Sequence, residues 1–211
     1  MTKIRALIFD FNGVVLNDEP IRNRNLQQVF AEAGIELSMA EIQEKCHGRG
    51  DTECFALLLQ EAGKEATPDR VKYLVEEKSR RYKDTILRNL PFVPGVQNVL
   101  NAWRGRVPLA LATGALPGEV EFVLEKTDLG TYFDVVTTTT DAGASKPDPA
   151  VYRLTLDRLR QKRCPDLKAV ECLVFEDSPV GMRAALDAGM RCVGIATSGG
   201  HADLEECDLV V

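Results

Sequence analysis

Short runs of apolar residues alternate along the chain with longer segments of mixed polarity. Each clear run ends at a polar or glycine-containing turn. Continuous apolar runs of this length are typical of strands that are buried on both faces of a parallel sheet. The clear runs occupy residues 4–9, 107–112, 172–175 and 192–195, and weaker ones occupy residues 135–136 and 209–211.

The segments between these runs have the periodicity of helices, and several open with a proline near the first turn. They cover residues 94–103, 117–128, 149–162 and 179–188. Strands that alternate with helices predict an α/β fold, in which helices cover both faces of a parallel sheet.

Residues 19–88 break this alternation, since the whole segment has helix-type periodicity and no convincing strand. Its apolar stripes predict helices that share a core of their own. Pro91 and Pro94 mark the return to the alternating pattern. We therefore predict an α/β core formed by residues 1–16 and 91–211, interrupted by an all-helical cap of residues 17–90. The stripes are Leu26, Val29, Phe30 and Ala33, then Phe55, Leu58 and Leu59, then Val71, Leu74 and Val75.

Composition narrows the class of protein. The 211 residues are 45% hydrophobic and 27% charged, an ordinary globular balance. A net charge of −6 disfavours sequence-independent binding to nucleic acid. No signal peptide is recognisable and no stretch approaches the roughly 20 apolar residues that span a bilayer, so we expect no membrane association and a cytoplasmic location.

Two further features have plain interpretations. The six cysteines show no Cys-x-x-Cys pair and no recurring spacing, which predicts reduced thiols. The charge run at residues 76–83 predicts a solvated helix face. His47 and His201 are too few and too scattered for a histidine metal site or a catalytic triad.

Polar residues follow four of the predicted strands or the turns near them. Because the carboxyl ends of parallel strands meet at one edge of a sheet, we expect these residues to be neighbours. Thr113 and Ser178 are also plausible caps for the helices that follow them. The four groups are Asp10 with Asn12 and Gly13, Thr113 with Gly114, Lys146 before Pro147, and Glu176 with Asp177 and Ser178.

These residue types suit phosphoryl transfer. Asp10, on a turn that Gly13 leaves open, can act as a nucleophile that becomes an aspartyl-phosphate. The Thr113 hydroxyl and the Gly114 amide can donate to phosphate oxygens. Lys146 supplies a fixed positive charge.

The Asp10 carboxylate and a phosphate group are both anions, and they would repel each other without a cation between them. Asp177, with help from Glu176, can hold Mg²⁺ through hard oxygen ligands, alongside Asp10 and a backbone carbonyl of the first loop.

The four motifs, in this order, make the chain resemble the haloacid dehalogenase superfamily, in the branch with a helical cap inserted after the first strand. Residues 17–20 and the Lys-Pro-Asp-Pro of residues 146–149 look like the β-phosphoglucomutase and phosphoglycolate phosphatase group. The resemblance implies a Rossmann-like parallel sheet and Mg²⁺-dependent hydrolysis or isomerisation of a small phosphorylated metabolite.

Asn12 departs from the pattern of that family. The resemblance implies an aspartate at this position, which protonates the leaving oxygen and then activates water. Asn12 cannot exchange a proton, although its backbone carbonyl can still bind the metal. Loss of a general acid commonly costs about 10²- to 10⁴-fold in rate. Three explanations stay open: a natural variant with weak or different chemistry, a binding protein descended from an enzyme, or a substitution engineered to trap a complex.

Candidate substrate contacts lie in the insertion. Arg49 lies between two glycines in residues 46–51, and similar loops in capped relatives contact substrate, although a solvated arginine is an equally good interpretation. Lys78 is a weaker candidate. A mutase of the phosphoglucomutase type is expected to have a histidine near position 22, where this chain has Arg22.

The sequence thus favours a phosphatase that acts on a small phosphate monoester through Asp10, as a monomer or weak homodimer. A phosphomutase and a metabolite-binding protein with a disabled site are the alternatives. A dehalogenase-type hydrolase is a further one, which Glu176 and Asp177 disfavour because it needs no metal-binding acids.

Overall fold

The computed structural model describes residues 3–46, 49–88, 90–197 and 204–211. Its strands are β1 (Ala6–Phe9), β2 (Leu109–Thr113), β3 (Val135–Thr138), β4 (Cys172–Glu176), β5 (Arg191–Gly194) and β6 (Leu209–Val210). Its helices are α1 (Glu19–Glu32), α2 (Met39–Cys46), α3 (Asp51–Glu61), α4 (Pro68–Ile86), α5 (Val96–Trp103), α6 (Pro117–Lys126), α7 (Thr139–Ala142), α8 (Ala150–Lys162) and α9 (Pro179–Asp187).

The described strands form one parallel sheet in the order β3-β2-β1-β4-β5-β6. Strand β1 lies inside the sheet, where Leu7 is paired with Leu109 on one side and Leu173 on the other. Parallel neighbours need crossover connections, and helices α6, α8 and α9 lie in them. The predicted α/β class is confirmed, and both weaker strand candidates are strands.

Side chains of β1 alternate between two apolar layers. Ala6 and Ile8 pack in the cluster that contains residues of α8 and α9. Leu7 and Phe9 pack in the opposite cluster, which contains residues of α5 and α6. A strand that is buried on both faces has no polar side chain until it ends, and Asp10 is the first polar position after β1.

Helices α1 to α4 fill the segment between β1 and α5. Thr67 caps α4 by accepting a hydrogen bond from the amide of Arg70. The four helices pack on a third apolar cluster, in which the rings of Phe30 and Phe55 stack with centroids 4.8 Å apart. This separate cluster supports the division at residues 17–90, which stays a prediction.

The expectation of a solvated face over residues 76–83 is wrong at two positions. Lys78 and Tyr82 are fully buried in α4. Both side chains point to polar partners elsewhere in the fold, which burial makes necessary. A charge run read along the sequence does not reveal these distant partners.

The expectation of reduced cysteines is wrong for one pair. Cys46 at the end of α2 and Cys54 in α3 form a disulfide, with Cα atoms 5.2 Å apart. Cys164, Cys172, Cys192 and Cys207 are free thiols. In the part of the chain that the structure describes, none of the helices is long and apolar enough to cross a membrane.

Candidate active site

The loop after β1 presents Asp10 at the carboxyl edge of the sheet. The Asp10 amide donates a 3.0 Å hydrogen bond to the carbonyl of Phe175, which ties the start of the loop to β4. Gly13 has a φ of 78°, in the left-handed region that favours glycine, and its amide donates to the Leu16 carbonyl over 2.6 Å. The chain therefore turns sharply directly after Asp10.

Lys146 reaches Asp10 from the loop before α8. Its Nζ donates to Asp10 Oδ1 over 2.6 Å, to Glu176 Oε1 over 2.5 Å and to the Ala112 carbonyl over 3.2 Å. The ring of Tyr152 lies 5.1 Å from the same nitrogen. One buried ammonium thus links the ends of β1, β2 and β4.

Glu176 lies beneath the site and is saturated with partners. Its Oε1 accepts hydrogen bonds from Lys146 and from the Tyr152 hydroxyl, the latter over 2.6 Å. Its Oε2 accepts from the Ser178 hydroxyl over 3.1 Å and from the amides of residues 177 and 178. A Cβ at Gly181 would overlap the Glu176 carboxyl group, so only glycine leaves room for this carboxylate.

Burial sets the protonation of Asp10. Desolvation raises the pKa of Asp10 to about 6, against the opposing charge of Lys146 and with a smaller contribution from the charge of Glu176. A hydrogen bond from Thr113 favours the charged carboxylate. The pKa of Lys146 is raised because the two carboxylates outweigh its own desolvation, so it stays a cation.

A cleft opens over this edge of the sheet, with a volume of about 90 Å³. That space suits a few water molecules or a small polar group. Side chains from the sheet edge and from the insertion line it together. They include Asp10, Asn12, Glu19, Arg22, Arg49, Ser145, Lys146, Asp177 and Ser178, with Gly13, Gly50, Gly114, Ala115, Thr139 and Val180.

Asn12 is held in place by a buried carboxylate. Its Nδ2 donates to both oxygens of Asp18, at 3.0 Å and 2.8 Å. The hydroxyl of Tyr82 donates to Asp18 Oδ2 over 2.6 Å, and both Asp18 and Tyr82 are fully buried. The sequence analysis used Asp18 only as part of residues 17–20, so its contact with Asn12 was missed.

A second buried ionic group joins the insertion to the sheet layer. Lys78 of α4 contacts Asp51 of α3 at 2.7 Å and Glu119 of α6 at 3.2 Å. Arg22 of α1 contacts Asp51 at 3.2 Å and also lines the cleft. Burial alone would raise the pKa of Asp51, but Lys78 and Arg22 outweigh it and lower this pKa to about 2.

The structure separates the predicted site residues into two sets. Asp10, Asn12, Gly114, Lys146 and Asp177 line the cleft, as does Arg49, which is half-exposed and paired with Glu53. Thr113 and Glu176 lie buried below it, and Lys78 is paired with Asp51 of the insertion and with Glu119 of α6. His47 and His201 lie outside the described residues.

The predicted caps differ in outcome. Ser178 caps α9 and accepts a hydrogen bond from the amide of Gly181, which confirms that prediction. Thr113 is not a cap, since α6 begins four residues later with Leu116 as its capping residue. The Thr113 hydroxyl instead accepts from the amide of Ala115.

The donors at the cleft fit a magnesium ion. Among the described residues, no group of three or more His, Cys, Asp and Glu side chains is arranged to hold a metal. Asp10 and Asp177 at the sheet edge nevertheless line the same small cleft, as does Glu19 of α1. Mg²⁺ is usually bound by one or two carboxylates and keeps several waters, so this oxygen set suits it better than it suits a metal that needs a full protein cage.

Two curated phosphatases are similar to this chain over most of its length. A phosphorylated carbohydrates phosphatase of Thermotoga maritima is 31% identical over 198 residues, which cover 92% of this chain and 87% of that protein. The fructose-1-phosphate phosphatase YqaB of Escherichia coli is 26% identical over 190 residues, covering 90% of this chain and 95% of that protein.

Solved structures share the fold over nearly the whole chain. CbbY from Rhodobacter sphaeroides in complex with phosphate superposes with a TM-score of 0.86 at 25% identity, covering 99% of this chain and 93% of that one. A β-phosphoglucomutase from Clostridium difficile has a TM-score of 0.84 at 21% identity, covering 99% and 90%, and shows the fold alone. Residues 7–195 match the family described as haloacid dehalogenase-like hydrolase. The chain therefore belongs to the haloacid dehalogenase-like hydrolases.

Proposed function

We propose that the protein is a Mg²⁺-dependent phosphatase that hydrolyses a small phosphate monoester through an aspartyl-phosphate on Asp10. The observation that carries this proposal is the contact of Asp10 with Lys146 at the floor of a small polar cleft. The names of the two curated phosphatases support the reaction class and a phosphorylated carbohydrate as the kind of substrate.

Lys146, Asp10 and Glu176 have different roles in the proposed reaction. Lys146 binds Asp10 and carries a charge that also attracts the phosphoryl group. The Asp10 oxygen that does not accept from Lys146 attacks phosphorus, and the bond from phosphorus to the leaving oxygen breaks with its electron pair on that oxygen, which takes a proton from solvent. Water then attacks the aspartyl-phosphate, and inorganic phosphate leaves. Glu176 positions Lys146, since its carboxylate is saturated by partners beneath the cleft.

Asp10, Asp177 and the backbone carbonyl of Asn12 would hold the Mg²⁺. When bound, the ion supplies positive charge between the nucleophile and the phosphate oxygens. Glu176 was predicted to take part as well, and its saturated oxygens support an indirect role through Lys146 instead.

Substrate contacts from the insertion complete the site. Arg22 and Arg49, both in the insertion, line the same cleft as Lys146. An arginine can bind a phosphate or a sugar hydroxyl through its planar fork of donors. We assign both arginines to the substrate, and the cytoplasm remains the proposed location.

A second candidate function is a metabolite-binding protein whose site does not turn over. The locked amide of Asn12 favours it, because an amide transfers no proton to the leaving group.

One assay separates the two candidates. The wild type, Asn12→Asp and Asp10→Ala are compared on a panel of phosphorylated carbohydrates with Mg²⁺, after intact mass has excluded deamidation of Asn12. Release of phosphate by the wild type that is absent in Asp10→Ala supports the phosphatase. Binding of inorganic phosphate by the wild type, with turnover in neither the wild type nor Asn12→Asp, would establish the binding protein instead.

A further inference from the structure

Asp18 fixes which way the Asn12 amide points. The amide nitrogen carries the hydrogens and the carboxylate oxygens accept them, so the nitrogen faces Asp18. Both Asp18 oxygens lie within 3.0 Å of Nδ2. The Asn12 carbonyl oxygen is therefore left on the side of the amide away from Asp18, and Asn12 lines the cleft.

Asp18 itself cannot serve the reaction directly. Its side chain is fully buried, and its two oxygens accept from Asn12 and from the Tyr82 hydroxyl. The cleft reaches Asn12 but not Asp18. The side chain at position 12 thus offers an acceptor to the cleft and brings no proton for a leaving oxygen.

From this geometry we infer that the site favours phosphate compounds whose leaving group departs as a stable anion, such as acyl and aryl phosphates, with Asp18 as the positioning residue. This inference rests on the proposed function and names its substrate class. The alkyl phosphates of carbohydrates, whose leaving oxygen needs a proton, are then the slower substrates of the same site.

The chemistry follows from the balance of the first step. An Asp10 oxygen forms a bond to phosphorus, and the bond to the leaving oxygen breaks with its electron pair on that oxygen. A carboxylate or phenolate is stable in that form, whereas an alkoxide is not. In the second step water attacks phosphorus, the electron pair returns to Asp10, and the protons of the water go to phosphate and solvent.

Exchanging the two partners provides a direct test. In the double variant Asn12→Asp with Asp18→Asn, the amide at position 18 would donate to the new carboxylate at position 12. The Tyr82 hydroxyl would still find an acceptor at position 18. In Asn12→Asp alone, two carboxylates would face each other at about the distance of the present contact, which disfavours the charged pair.

The experiment measures kcat/KM with Mg²⁺ for dinitrophenyl, para-nitrophenyl and phenyl phosphate and for an alkyl phosphate. For the wild type we expect kcat/KM to fall steeply as the leaving group becomes more basic. For the double variant we expect a shallow fall, with the alkyl phosphate gaining about 10²-fold or more and dinitrophenyl phosphate gaining little. Tyr82→Phe, which keeps the contact of Asn12 with Asp18, is the matched control and should retain the steep fall.

Three outcomes would overturn the inference. A shallow fall in the wild type means that another group supplies the proton, while the phosphatase function stands. Equal leaving-group dependence in Asn12→Asp and the double variant means that Asp18 does not position residue 12. No release from any of these esters by the wild type, with Asp10→Ala indistinguishable from it, removes the proposed function and this inference with it.

Discussion

Lys146 Nζ lies 2.6 Å from Asp10 Oδ1, and both side chains are less than a tenth exposed. The pair joins residues 136 positions apart in the sequence. Because a buried carboxylate is costly without a partner, this contact keeps a charged nucleophile in the fold. The same ammonium is held by Glu176, so the nucleophile, the cation and its support form one unit.

A Mg²⁺ titration can distinguish the role of Glu176 from that of Asp177. Glu176→Gln should lower kcat by about 10-fold or more, since Lys146 loses a charged partner, with little change in the Mg²⁺ concentration needed for half activity. Asp177→Asn should raise that concentration. Steady-state rates over a Mg²⁺ titration check both. A shift in the Mg²⁺ requirement of the Glu176 variant would make Glu176 a ligand.

The charged Asp10 carboxylate is expected to lower the free energy of unfolding. Its pKa is about 6 in the fold against an ordinary 3.8, so the native state disfavours the charged carboxylate. This penalty is fully present above pH 6 and disappears as the pH falls below 3.8. Without Mg²⁺ at neutral pH, Asp10→Asn should therefore be more stable, on the order of 1–3 kcal/mol, and inactive.

Thermal unfolding measures this effect. The exposed Glu121→Gln is the control for loss of a negative charge, and its midpoint should stay close to that of the wild type. A midpoint of Asp10→Asn below that of the wild type would show that the contact with Lys146 outweighs the burial of Asp10.

The buried ionic group around Lys78 should make the free energy of unfolding depend on pH. The pKa of Asp51 is lowered from 3.8 to about 2, because Lys78 and Arg22 outweigh its desolvation. Its contribution is fully present above the unfolded value and is lost as the pH falls through about 2. At neutral pH it is on the order of 2 kcal/mol.

Denaturant unfolding of the wild type and Asp51→Asn over a range of pH checks this. The difference in free energy of unfolding should be largest above about pH 5 and shrink toward pH 2. A difference that does not change with pH would mean that the variant acts through packing rather than charge.

The disulfide predicts a dependence on reductant. Cys46 and Cys54 close a short loop, with a sequence separation of 8 residues, so reduction should destabilise the protein by roughly 2–3 kcal/mol. Thermal unfolding with and without dithiothreitol measures this. The double variant Cys46→Ala, Cys54→Ala should show no response to the reductant; a response equal to that of the wild type would assign the effect to other thiols.

Local patterns could predict the sheet, the helices and the strand-end residues of the site. The apolar run before Asp10 and the turn glycine after it are signals within a few residues. Contacts between distant elements could not be predicted in this way. Lys78 and Glu119 are 41 residues apart, on α4 and α6. Lys78 interrupts the apolar stripe of its helix, but the sequence does not show which acids it contacts.

The partner of Asn12 was missed for a related reason. Asp18 is close in sequence, yet only the tight turn at Gly13 and the buried Tyr82 of α4 bring its carboxylate onto the amide. The substitution at position 12 was visible in the sequence, but its orientation was not. Orientation decides whether the amide offers an acceptor or a donor to the cleft.

The central claim is that Asp10 carries the phosphoryl group, and the most direct test is the mass of the protein after reaction. The wild type is incubated with acetyl phosphate and Mg²⁺, quenched in acid and analysed by intact mass and peptide mapping. Because Asn12 cannot activate water, we predict that a phosphoryl adduct accumulates on Asp10 and is absent in Asp10→Ala. An adduct of equal yield in Asp10→Ala, or none in a wild type that releases phosphate, would contradict the account.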